Sequence, residues 1–93
     1  VEEVVARGLW MYDGIAPTAV YVVMLDYDFW YEIGAADDDL EPGEVPELNE
    51  NGHLYYVRHH AGKPFWPDSQ GFHTLAEAIA AAESVIPGPV EWR

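Results

Sequence analysis

The sequence predicts an α+β fold, an antiparallel sheet of three to four strands with one main C-terminal helix packed on one face. Three observations carry it. Residues 18–33 alternate with period two, residues 53–60 form a second strand-like run, and residues 74–86 repeat apolar side chains at helical spacing. A chain of 93 residues supports one hydrophobic core, so 1–93 is read as a single domain.

The first residues, Val1 to Ala6, fit either one helical turn or a lead-in strand. Arg7 to Tyr12 is a short apolar-aromatic run stopped by Asp13-Gly14 and Pro17, which reads as a strand and a connection. From Thr18 to Ile33 every odd position from Tyr21 onward is apolar or aromatic. The even positions are apolar up to Met24 and turn acidic at Asp26, Asp28 and Glu32. One long strand is favoured, because no Gly or Pro interrupts it; the alternative is two elements meeting near Asp26–Asp28. Its odd face is expected to pack against the alanine-rich helix.

Residues 34–51 carry Pro42, Pro46 and seven acids without one basic residue, and are expected to form an exposed, mobile loop. Asn51-Gly52 favours a type I′ turn, which would let Leu48–Glu50 pair briefly with the next strand. That strand is His53 to His60, with Leu54, Tyr56, Arg58 and His60 on one face. Ala61 to Phe72 reads as turns. Thr74 and Glu77 form a capping box, and Leu75, Ala78, Ile79, Ala82, Val85 and Ile86 make the buried stripe of a helix that Pro87-Gly88-Pro89 ends. Val90 to Arg93 adds a last short strand.

Charge narrows the functional classes. Four Lys and Arg against seventeen Asp and Glu give a net charge of −13. A nucleic-acid surface needs a cationic patch to displace counterions, and anionic lipid needs the same, so neither is an expected partner. Without cysteine there is no disulfide, thiolate chemistry or Cys-based metal site. No apolar run reaches a membrane span and no signal-peptide pattern opens the chain, so cytoplasmic is the expected location, whether Val1 is a trimmed end or a GTG start.

No cofactor motif is present. Aligned on Asp37 as a calcium loop, Pro42 falls where the turn glycine belongs and Leu48 where the bidentate Glu belongs. His59 and His60 point to opposite sides of a strand, and His53 and His59 stand about 20 Å apart along it. A site using His60 and His73 with an acid is the metal or enzymatic alternative, which no ligand spacing supports. Ser69 lies in turn chemistry, not in a nucleophile elbow.

The acids and aromatics carry the functional expectation. Ten carboxylates stand between Asp26 and Glu50 with no Lys or Arg among them. Four tryptophans, six tyrosines and three phenylalanines exceed what one small core shelters, and Trp10, Trp30, Phe65, Trp66 and Tyr55 compete for cover. The expected role is a non-catalytic interaction module that meets a basic protein surface. Asp26, Asp28, Trp30, Glu32, Asp37, Asp38, Asp39, Glu41, Glu44 and Trp66 are its expected contact residues. A homodimer formed through surplus aromatics, with no separate ligand, is the structural alternative.

One stretch carries a family likeness. Pro67-Asp68-Ser69-Gln70-Gly71 followed by Thr74-Leu75-Ala76-Glu77-Ala78 resembles HicB-type antitoxins, in which a strand leads to a Pro-Asp-x-x-Gly turn and a Thr-x-x-Glu-Ala helix start. The resemblance covers about residues 53–86. The family's Gly-Asp does not precede the threonine, no DNA-binding tail is expected within these 93 residues, and turn glycine and Thr74 stand closer than in the family. The resemblance implies an acidic protein that neutralises a basic toxin.

Overall fold

A computed structural model describes residues 2–93. Elements follow in the order β1 (Glu3–Tyr12), β2 (Ala16–Leu25), α1 (Phe29–Ala36), β3 (Leu54–Arg58), α2 (Leu75–Val85) and β4 (Glu91–Trp92). Four antiparallel strands form one sheet in the order β3-β2-β1-β4, the α+β architecture expected. The ambiguous start of the chain is strand from Glu3 onward, while Val1 lies outside the described residues.

The strand expected over 18–33 is two elements. β2 ends at Leu25, and Asp28 then caps α1 by accepting the Tyr31 N–H at 3.2 Å. Alternation misled here because Phe29 and Ile33 are two steps apart in a period-two pattern and also one helical turn apart. In α1 that spacing sets Phe29 and Ile33 into the same core as Val23, Leu25, Leu54 and Tyr56. Burying Phe29 contributes about 2 kcal/mol toward holding this two-turn helix, which is too short to persist alone. Asp38, with φ of 54°, ends it: the Asp39 N–H reaches Gly34 O and the Asp38 N–H reaches Ala35 O.

The expected orientation of the sheet is reversed. The alanine-rich helix α2 lies on the even face, with Ala78 and Ala82 against Val20, Val22, Val57, Ala6 and Trp10. The odd face of β2 packs instead under α1 and Phe65. Both halves of the β2–β3 pair are therefore covered. This explains why the even positions before Asp26 are apolar as well as the odd ones.

Other corrections are local. Thr74 and Glu77 form the capping box, but Val85 is exposed and Ile86 closes the buried stripe. β3 spans Leu54–Arg58, shorter than 53–60, and Leu48–Glu50 forms no strand. The expected brief pairing is present as one bond, the Asn49 N–H reaching His53 O at 3.0 Å, but the turn is not type I′, since Gly52 and not Asn51 has a positive φ. Asn49 Oδ1 accepts from the N–H groups of Asn51 and His53 at 2.9 Å each. At the other edge Gly8 lets Val90 and Trp92 lie close against β1, since a Cβ there would lie 2.7 Å from Val90 Cγ1 and 2.9 Å from Val20 Cγ1.

Candidate functional site

The acidic segment is fixed at several points rather than trailing free. Gly34 leaves room for Leu40 to lie across α1; a Cβ on Gly34 would stand 2.7 Å from Leu40 Cδ2. Asp28 Oδ2 accepts the Glu47 N–H at 2.9 Å, and Glu44 Oε2 accepts the Glu41 N–H at 3.4 Å. Asn49 Nδ2 donates to His73 O at 3.0 Å, with the His73 ring 4.0 Å from the Glu47 carboxylate. The segment is thus tied at one point to the N-cap of α1 and at another to the residue before the N-cap of α2.

This folding creates a groove of about 360 Å³ lined by Asp28, Trp30, Tyr31, Glu44, Val45 and Glu47, with Leu40, Leu54, Gln70 and Gly71. Three of its lining residues are carboxylates, and none is basic. Val45 is 70% exposed in its mouth.

Trp30 stands at the rim. Its Nε1 donates to Ser69 O at 2.9 Å, and its ring meets Trp66 edge to face with centroids 5.5 Å apart. Phe29 touches both indoles from below, at 5.0 Å from Trp30 and 5.3 Å from Trp66. Phe65 continues the cluster into the core, at 5.4 Å from Phe29 and 6.4 Å from Tyr56. Trp30 is 38% exposed and Trp66 48%, although buried neighbours support both rings.

Two buried polar groups hold this assembly. Tyr56, fully buried, accepts the Phe29 N–H on its hydroxyl at 2.8 Å, and burial pushes its phenol up to about 12. Arg58, also buried, donates from Nη2 to Gly62 O at 3.1 Å, and its guanidinium lies 4.9 Å from the Phe65 ring centroid. Arg58 therefore anchors the loop that presents Trp66.

The turn at Asp68-Ser69 seals the outer edge of β3. Ser69 Oγ accepts the Val57 N–H at 2.9 Å, the Asp68 N–H donates to Val57 O at 2.8 Å, and Asp68 Oδ2 accepts the His59 N–H at 2.8 Å. Ser69 and Asp68 thus do edge-strand work.

The expected contact residues divide. Asp28, Trp30 and Glu44 line one groove, and Trp66 joins them through Trp30. Asp26, Glu32, Asp37, Asp38, Asp39 and Glu41 are exposed but do not line it. Asp28 is half-buried and already engaged twice, so it shapes the groove more than it offers charge. Glu47 and Val45 were not among the expected contacts, although the acidic run of the sequence contains Glu47. Of the other candidates, Trp10 and Phe65 are buried.

His60 and His73 lie beside different carboxylates, Asp68 at 3.6 Å and Glu47 at 4.0 Å. Among the described residues no group of three or more His, Cys, Asp or Glu could hold a metal ion, and no helix is long and apolar enough to cross a membrane. The chain matches none of the known protein families, curated proteins or solved structures with which it was compared.

Proposed function

We propose that the chain is a small, acidic, non-catalytic interaction module of the inhibitor, immunity or antitoxin kind, gripping a basic protein surface through the Trp30–Trp66 groove. The observation that carries this reading is half-exposed Trp30, which lines the groove with Glu44 and Glu47 and meets half-exposed Trp66 edge to face. An arginine or lysine side chain has an apolar stem and a cationic head. Indole faces suit the stem and attract the head, and carboxylates complete the pairing. The remaining acids act at longer range, speeding encounter with a cation and repelling acidic competitors.

Intrinsic tryptophan fluorescence tests it directly. Titration with an arginine-rich peptide is expected to shift the emission saturably, with affinity falling as salt rises through the physiological range, while a glutamate-rich peptide does nothing. No spectral response, or one indifferent to salt, overturns the reading.

A further inference from the structure

The β1–β2 hairpin presents a second surface, unrelated to the groove. Among the described residues β3 pairs only with Tyr21–Leu25 of β2, and β4 only with Gly8 and Leu9 of β1. The two-stranded remainder, from Met11 to Pro17, is exposed throughout. On the face opposite α2, Leu9 is 38% and Met11 46% exposed, and Arg7 lies over the Tyr21 ring at 5.6 Å. Val4, Leu9, Met11, Tyr12 and Ile15 are five of the nine exposed large apolar side chains of the described residues. A two-stranded ribbon with uncovered apolar side chains is marginal in water, and gains from being covered.

Charge identifies what covers it. Between residues 4 and 25 the charged side chains are Arg7 and Asp13, and on the adjoining β4 Glu91, beside Leu9, stands 4.0 Å from Arg93, so this region is neutral in a chain of net charge −13. Sixteen of the seventeen acids lie outside residues 4–25. The strip is also self-complementary: Arg7, Leu9, Met11 and Asp13 read cation, apolar, apolar, anion along β1 and into its turn. Reversed by a two-fold axis, that order sets opposite charges and apolar groups together, as an isologous contact requires.

We propose that a second copy of the chain packs on this face, with Leu9 of each copy against Met11 of the other and Arg7 against Asp13. The contact uses none of the residues that line the groove, so the dimer and the basic-partner reading stand or fall separately.

Sedimentation velocity of the full chain, from micromolar to near-millimolar concentration, tests the proposal. The wild type is expected to shift from monomer to dimer. Met11→Glu raises the dimer dissociation constant at least about tenfold, whereas Val85→Glu on exposed α2 leaves it unchanged. Arg7→Gln and Asp13→Asn weaken the dimer without adding, because each removes the same pair. Circular dichroism confirms that each variant is folded. In the wild type, amide shifts that change with concentration are expected at residues 7–19. A monomer at every concentration overturns the proposal. A dimer that survives Met11→Glu, additive effects of the Arg7 and Asp13 variants, or shifts centred on α1 overturn it as well.

Discussion

The Asp28 carboxylate accepts the backbone N–H of Glu47 at 2.9 Å, nineteen positions further along the chain, while its other oxygen caps α1 at Tyr31. One side chain therefore sets both where the helix begins and where the acidic segment returns to the body. Asp28→Ala is expected to cost about 0.5–2 kcal/mol as a lost cap. It also frees the groove wall. Hydrogen exchange at the Glu47 and Tyr31 amides should accelerate together, and acceleration at Tyr31 alone would show that the clasp is not shared.

Tyr56 ties stability to alkaline pH. Its phenol is raised from an ordinary 10.0 to about 12, chiefly by burial, so the folded protein holds that proton more tightly than the unfolded chain. The associated stability is complete below pH 10 and is lost as pH rises from there through about 12. Tyr56→Phe should flatten this part of the pH dependence. At neutral pH it should cost about 1–3 kcal/mol, since the buried Phe29 N–H loses its acceptor. Urea unfolding of both proteins at pH 7 and in the alkaline window checks both expectations.

Gly8 is a packing requirement rather than a turn. Alanine there would press into Val90, Val20 and the Trp92 ring at once, with distances of 2.7 to 3.0 Å. Gly8→Ala is expected to destabilise by about 1–3 kcal/mol and to loosen β4 first. Denaturant melts give the magnitude, and exchange at the Arg93 amide, which donates to Arg7 O at 2.8 Å, gives the location.

The tryptophan pair separates binding from folding. Trp66→Ala removes a half-exposed ring whose support, Phe29, remains packed on Tyr56 and Phe65. Stability should change by under about 1 kcal/mol, while affinity for an arginine-rich peptide falls at least about tenfold. Calorimetric titration beside a thermal melt distinguishes this from general loosening.

The legible parts of this fold are those written in local chemistry. Thr74 and Glu77 announced α2, Asp13-Gly14 announced the end of β1, and the antiparallel sheet followed from its strands. The α1 helix was hidden because Phe29, Trp30 and Tyr31 favour strands and Glu32 stands one position too late for a capping box. Asp28 caps it, aided by Tyr56 of β3, whose hydroxyl accepts the N–H of Phe29 27 residues away. The same distance dependence hid the groove. That Trp30 and Trp66 meet depends on Arg58 holding Gly62 and on Ser69 receiving the indole N–H, neither of which spacing reveals. Asp28 and Glu47 were recognisable as acids, but not as a pair.

Pro17 sits where β3 does not reach, on the stretch of β2 whose outer flank has no neighbour, and it has no amide hydrogen to offer there. A foreign strand seeking to extend the sheet from that side finds its ladder interrupted at once. The hairpin can thus offer its apolar face to one further copy without seeding an open-ended stack of sheets.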